Sequence, residues 1–362
     1  MKVNFIMPVF YKRKPIGGFK IIYSYANGLV QTGNEVTITY MSDAFPKHWD
    51  FFSIVKELIR FIYHKIIKYV PRKINWFPLD KRIRLVVEKT PIKKTFVNAD
   101  IVIATASSTA PVVLALPRSK GSKFYFLQHD ESTFPVDHNT VKTWGMGLHL
   151  IAVANWIKQR VQNHYPDLEV DIVPNFVDFN TFQLTQPIEQ RKRVISMLIH
   201  TDPVKGTKYG IEALRWIQTK YPDVRIILFG TCPKPQVPGL QFQYYENATP
   251  NVLCKIYNDS MIYIMPSILE GWGLTATEAM QCGTALVTTE NGGVNDFTKK
   301  NFSAIRVPTK SSFDLEMAVE RLLCDDVLRQ KIARNGHQDI QIYTFERSLQ
   351  MFKKSLKDRS GQ

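Results

Sequence analysis

Two series of short apolar runs, each followed by a stretch with helical spacing, constrain this chain more than any other feature. In the first half the runs are Val3–Met7, Glu35–Tyr40, Asp100–Ala104, Lys123–Leu127, His149–Val153 and Val170–Val173. In the second half they are Val194–Ile199, Val224–Phe229, Met261–Met265 and Thr284–Thr288. Near-continuous apolarity, rather than strict alternation, is what strands buried on both faces require. Phe19–Thr32 keeps helical spacing and Gly33 stops it. Asn155 is expected to N-cap a further helix, with Trp156, Ile157 and Val161 inward. Helical patterns recur at Phe313–Leu323 and Phe345–Leu356. Strand–helix alternation of this kind predicts α/β domains with doubly wound parallel sheets. The polar tract Gln183–Arg193, containing Pro187, reads as a linker. A chain of 362 residues can hold two such domains, each with its own core.

Doubly wound sheets bind ligands at the carboxyl ends of their strands. Two carboxylates are expected at one such end. Glu270 and Glu278 are separated by seven residues in the run Ser267-Ile268-Leu269-Glu270-Gly271-Trp272-Gly273-Leu274-Thr275-Ala276-Thr277-Glu278-Ala279-Met280. The strand Met261–Met265 precedes them, Gly271 and Gly273 make the turn, and a helix starting near Thr275 ends at Gly283. Carboxylates accept hydrogen bonds from vicinal hydroxyls, which sugars and riboses offer in pairs. Thr275 and Glu278 also fit a capping box, in which the two side chains serve only the helix start.

Other groups stand at comparable places. Lys205-Gly206 follows the strand Val194–Ile199 and opens a helix, where an ammonium and backbone N–H groups suit a phosphate. Gly17-Gly18 occupies the matching place after the first strand, and Gly292-Gly293 after Thr284–Thr288. Gln128-His129-Asp130-Glu131 ends the strand Lys123–Leu127.

The glutamate run, continuing through Ala279-Met280, Gly283 and Gly292-Gly293, resembles the signature of family 4-like retaining glycosyltransferases, the group 1 glycosyl transferases, with the GT-B fold. The resemblance implies two Rossmann-like domains facing a cleft. Residues 1–185 are expected to bind the acceptor and 186–343 the nucleotide sugar, and the final helix, 344–362, to cross back to the first domain. Pro174-Asn175-Phe176-Val177-Asp178 resembles the segment between the domains. The resemblance also distributes roles. Glu270 and the loop Gly271, Trp272 and Gly273 are placed at the donor sugar. Glu278 is placed at the ribose, with Leu274 and Thr275 at the nucleotide. Lys205 is placed at the departing phosphate, with Gly17 and Gly18 near it or near the attacking group. His129 is placed at the sugar, and Asp130 and Glu131 at the acceptor hydroxyl. Glu270, Lys205 and His129 are thereby the expected catalytic residues. His200 stands near the place of the family's further arginine, which leaves the second phosphate contact to Arg225 or another residue. No general base is assigned, because front-face attack passes the acceptor's proton to the leaving phosphate. No cofactor beyond the nucleotide sugar and no obligatory metal are expected.

Composition narrows the setting. The four cysteines have no metal-ligand or redox-motif spacing, which suits free thiols in a reducing compartment. Met1–Pro8 reads as a first strand rather than a signal peptide, and no run reaches transmembrane length. A cytoplasmic protein is expected. The net charge of +15 is uneven: Lys56–Lys94 holds twelve Lys or Arg and three acids, hence +9. Phe51–Val70 keeps helical spacing at 51, 54, 55, 58, 62, 66 and 69, with additional apolar residues at 52, 59, 61 and 67. It reads either as an interfacial helix drawn to anionic lipid or as a core helix with a solvated basic face. The basic residues form no nucleic-acid-binding module. The expected activity is transfer of a hexosyl or deoxyhexosyl group from a nucleoside diphosphate sugar to a carbohydrate, free or lipid-linked, in bacterial surface glycan assembly. The alternatives are a nucleotide-sugar epimerase on the same fold, a non-catalytic sugar-nucleotide-binding partner of a synthase, and a polyanion-binding protein.

Overall fold

The computed structural model describes residues 1–8, 16–41, 74–88, 96–133 and 140–360. The chain divides into two compact units, one of Met1–Val173 with Leu349–Gln362, the other of Pro174–Ser348. The expected helix Phe51–Val70 and most of the basic segment 51–94 lie outside the described residues.

The first unit is built on strands Lys2–Met7 (β1), Glu35–Met41 (β2), Arg84–Glu88 (β3), Ile101–Ala104 (β4), Ser122–Leu127 (β5), His149–Ala152 (β6) and Val170–Ile172 (β7). They form one parallel sheet in the order β3-β2-β1-β4-β5-β6-β7. The central β1 and β4 are buried almost throughout, as the apolar runs predict. Each fully buried Ile, Leu or Val there is worth roughly 1.5–3 kcal/mol of transfer free energy. Helix Asn155–His164 starts one residue earlier than expected: Ala154 is the N-cap and Asn155 the first helical residue. The last helix, Phe345–Ser360, belongs to this unit from Leu349 onward. Its buried Leu349, Phe352 and Leu356 recur at helical spacing. Phe352 stacks on Tyr25 at 4.4 Å between ring centres and also meets Phe5 and Phe126. Ser355 donates to Asp171 at 2.6 Å.

The second unit has strands Val194–Leu198 (β8), Arg225–Gly230 (β9), Gln243–Glu246 (β10), Ile262–Met265 (β11), Ala285–Thr289 (β12) and Ile305–Val307 (β13). They form a parallel sheet ordered β10-β9-β8-β11-β12-β13. The order reverses direction between β8 and β11, and such a switch point opens a crevice at the carboxyl ends. Two Rossmann-like parallel α/β units are therefore present.

The division falls at Val173–Pro174, earlier than the expected 185. The reason is packing. Phe182 contacts Tyr257, and Asn258 accepts from the Thr185 N–H at 2.8 Å. The tract expected as a linker is also built into the second unit. Ile188 is buried, and the buried Arg191 donates to the carbonyls of Tyr257, Ser260 and Cys282 and to the Thr284 hydroxyl. The backbone carbonyls at the ends of several elements thus find their partner in one side chain.

Candidate active site

The carboxyl ends of β8 and β11 bring the predicted second-unit residues together. After β8 the chain makes a short turn, Pro203–Lys205, capped by Asp202, whose carboxylate accepts the Val204 N–H at 3.0 Å. Gly206 then takes a left-handed φ of +64° and starts helix Thr207–Lys220. A Cβ at Gly206 would lie 1.9 Å from the Pro266 carbonyl oxygen, so only glycine lets this loop approach the loop after β11. The two loops are joined where the Ile268 N–H donates to the Val204 carbonyl at 2.7 Å.

That juncture sets Lys205 against Glu270. Lys205 Nζ stands 2.9 Å from each oxygen of the Glu270 carboxylate, and Ser267 Oγ donates to Oε1 at 2.8 Å. The two side chains are only 26% and 12% exposed, so the pair is partly shielded from water. The backbone of Glu270 is held from the other side. Its N–H donates to the Asn291 carbonyl at 2.9 Å, and its carbonyl accepts from Gly293 at 3.2 Å. Gly292-Gly293 is thus part of the site's frame: a Cβ at Gly293 would lie 2.3 Å from the Trp272 carbonyl oxygen.

Glu278 lies in helix Leu274–Gln281 and is buried. The N-cap of that helix is Gly273, and no side chain caps it. Thr275 lies inside the first turn, so the capping-box alternative does not hold. The first N–H groups of the helix, at Leu274 and Thr275, have no intrahelical partners and can serve an anion. Tyr263 on β11 lies close enough to feel both carboxylates. Burial pushes its phenol well above the usual range, a hydrogen bond with Thr275 pulls against this, and Glu270 and Glu278 add smaller pushes in the same direction as burial. Tyr257 is raised too, by burial first and then by Tyr263 and Glu278.

Trp272 is 2% exposed, and its ring packs between Phe297 and Tyr343, each 5.2 Å away. Its ring is a wedge in the loop, so its backbone is the part of the residue left for contact with a sugar. Arg225 is the first residue of β9 and pairs in register with Val194 at the amino end of β8. That is the opposite edge of the sheet from Lys205, roughly 17 Å away along a strand. Arg225 therefore cannot supply the second phosphate contact.

In the first unit, Gly17 and Gly18 begin helix Gly17–Gln31. A Cβ at Gly18 would sit 3.5 Å from the Gln128 amide, so the glycine pair and Gln128-His129-Asp130-Glu131 are neighbours. His129 Nδ1 lies 3.1 Å from the Asp130 carbonyl. Asp130 is 1% exposed and accepts from Arg160 Nε at 3.0 Å and from Ser132. Its carboxylate is taken by the protein, which corrects its assignment to an acceptor hydroxyl. Glu131 is likewise clasped by Ser107, whose N–H donates at 2.9 Å and whose hydroxyl donates as well. Sequence reasoning missed Ser267, Tyr263 and Asn291. Ser267 carried a local signal, three residues before Glu270; the other two gain their place only through the sheet.

Comparisons with known proteins bear on the same region. Residues 180–339 match the family described as Glycosyl transferases group 1. An uncharacterized glycosyltransferase of Methanocaldococcus jannaschii is 23% identical over 180 residues, 48% of this chain and 46% of that protein. The N,N'-diacetylbacillosaminyl-diphospho-undecaprenol alpha-1,3-N-acetylgalactosaminyltransferase of Campylobacter jejuni is 25% identical over 158 residues, 42% of this chain and 41% of that protein. The chain thus spans less than half the length of these curated relatives. Among solved structures, HepE of Anabaena in complex with UDP and glucose aligns with a TM-score of 0.72 at 15% identity, over 99% of this chain and 100% of that one. Sucrose-phosphate synthase of Thermosynechococcus elongatus aligns with a TM-score of 0.71 at 14% identity, over 100% of both chains. Within the second unit, residues 180–339 thus match the glycosyl transferases group 1 model, and the chain as a whole shares the two-unit α/β fold of these solved structures.

Proposed function

We propose that this chain is a retaining glycosyltransferase that moves a hexosyl or deoxyhexosyl group from a nucleoside diphosphate sugar to a carbohydrate acceptor. The observation that carries the reading is the convergence of Lys205 and Glu270 at the switch point of the second sheet, with Glu278 on the helix that leaves it. Such a crevice is where an α/β sheet takes a nucleotide. A cation suits the diphosphate, and two carboxylates suit ribose and sugar hydroxyls.

Lys205 is paired with Glu270. The diphosphate offers Lys205 a more highly charged partner. As Lys205 moves to it, Glu270 is released to accept hydrogen bonds from hydroxyls of the sugar. Glu278 accepts hydrogen bonds from those of the ribose. The bond from the anomeric carbon to the phosphate oxygen then breaks, and a bond to the acceptor oxygen forms on the same face. The acceptor's proton passes to the leaving phosphate. The protein contributes position and charge stabilisation, and Lys205 supplies the cation without an obligatory metal.

A lipid-linked acceptor and bacterial surface glycan assembly are the setting we propose. The name of the Campylobacter relative specifies a diphospho-undecaprenol acceptor, and residues 56–94 carry a charge of +9. Among the described residues no helix is long and apolar enough to cross a membrane. We place the protein on the cytoplasmic face, held by charge, and expect co-sedimentation with anionic vesicles at low salt and release at high salt. A protein left in the supernatant at low salt would refute that placement.

The activity itself is tested by incubation with UDP-, dTDP- and GDP-sugars, with and without undecaprenyl-diphosphate-linked saccharide, and mass spectrometry of the products. Acceptor-dependent gain of a glycosyl group in the donor's anomeric configuration is expected. An epimerised donor in reactions without acceptor would instead favour the epimerase.

A further inference from the structure

We propose that His200 is the second phosphate ligand, donating its Nε2–H as a neutral group to a diphosphate oxygen beside Lys205. This inference rests on the reading of the second unit as a nucleotide-sugar site.

His200 lies in the loop that leaves β8, five residues before Lys205. Its backbone is fixed to the start of helix Thr207–Lys220. The His200 N–H donates to Thr207 Oγ1 at 3.0 Å, and the Thr207 hydroxyl donates to the His200 carbonyl at 2.9 Å. Its ring is fixed as well. Nδ1 accepts the Asp202 N–H at 2.9 Å. A ring nitrogen that accepts carries no proton, so the proton of the neutral ring is on Nε2. Nε2 makes no hydrogen bond among the described residues and is not sealed from solvent. An oriented donor is therefore left over on the same loop as the lysine.

Protonation would place a second N–H against the Asp202 N–H and a second cation near Lys205. Burial and then Lys205 hold the ring below its ordinary value of 6.5, with Asp202 and Glu270 pulling the other way. His200 is thus a neutral donor near neutral pH, and Lys205 carries the charge. A neutral donor suits a leaving group whose charge is already met by the lysine, because it adds direction without a further buried charge.

Two substitutions separate the donor from the ring's structural contact. The amide of Gln can reach the place of Nε2, whereas that of Asn can reach only the place of Nδ1. His200→Gln keeps the donor; His200→Asn keeps an acceptor for the Asp202 N–H and loses the donor. Affinities of wild type and both variants for UDP, GDP and dTDP, and for the matching nucleosides, are measured by calorimetry. For the diphosphate that the wild type binds, His200→Gln is expected within about three-fold of wild type and His200→Asn weaker by about ten-fold or more, the scale of one hydrogen bond to a charged group. Nucleoside affinity should be unchanged in both. Wild-type diphosphate affinity in His200→Asn, or its loss in His200→Gln, overturns the role. Equal losses for nucleoside and diphosphate also overturn it, since the ring would then only shape the loop. A wild type that binds none of the diphosphates overturns the underlying reading along with this one.

Discussion

Glu270→Gln should tighten the binding of nucleoside diphosphate while abolishing most turnover. The Lys205 ammonium is held 2.9 Å from both carboxylate oxygens. The diphosphate must compete with that carboxylate for the lysine. Two unit charges about 4 Å apart interact by about 4 kcal/mol at an effective dielectric near 20. The lysine is 26% exposed, so solvent takes back part of this. A net value near the lower end for a charged hydrogen bond, about 1.5 kcal/mol, is the reasonable figure. Removing the competitor then strengthens diphosphate affinity by about ten-fold. Loss of a negative charge beside the phosphates acts in the same direction. Glutamine still accepts from Ser267 Oγ, and loss of the ion pair should lower fold stability by about the same 1.5 kcal/mol. Calorimetric titration of both proteins with the diphosphate, at one ionic strength, measures the difference. Unchanged or weaker affinity in Glu270→Gln, with an intact melting transition, would refute the competition between carboxylate and diphosphate.

Three further outcomes are expected. Glu278→Ala should weaken diphosphate binding by roughly 1.5–3 kcal/mol through loss of the ribose contact, read by the same titration; wild-type affinity would remove Glu278 from the nucleotide. Gly293→Ala should destabilise the fold by roughly 1–3 kcal/mol, because its methyl would meet the Trp272 carbonyl at 2.3 Å; an unchanged midpoint of chemical denaturation would contradict the close approach. His149 is held below its ordinary value of 6.5 by burial and then by Arg359, with Asp171 opposing. The unfolded chain therefore binds the proton more readily, so this contribution to stability is present above about pH 6.5 and is lost as pH falls towards the folded-state value. Denaturation at pH 5–8 should show a shallower slope in His149→Gln than in wild type, and equal slopes would remove His149 as a source.

Strands whose runs are apolar on both faces were legible in the sequence, because burial on both sides of a parallel sheet leaves no alternation to misread. Three strands were not. Arg84–Glu88 begins and ends on charges, Gln243–Glu246 is a polar edge strand, and Ile305–Val307 is three residues long. Helix Asp326–Ile340 was also missed, since most of its residues are polar and only Ile332, Ala333, Gly336, Ile340 and Arg329 are buried. Glu270, Glu278 and Lys205 could be named from the resemblance of the glutamate run, together with the place of Lys205 after a strand. Their arrangement could not be, because Lys205 and Glu270 are 65 residues apart and meet only through the switch point. The same limit misdirected Asp130: a carboxylate at a strand end reads as available until the fold shows Arg160 beside it. Arg225 failed for a simpler reason, that it opens its strand rather than following it.

The most direct test of the central claim is the thermal shift of the protein with UDP, GDP and dTDP, repeated in Lys205→Ala and Glu278→Ala. Ligand at about 100 times its dissociation constant stabilises the native state by about 2.7 kcal/mol. For a unit of this size that raises the melting temperature by roughly 5–10 °C. Such a rise is expected for at least one diphosphate in the wild type, and a much smaller one at the same concentration in both variants. No rise with any of the three in the wild type, or an undiminished rise in both variants, would contradict a nucleotide-sugar site built on Lys205, Glu270 and Glu278.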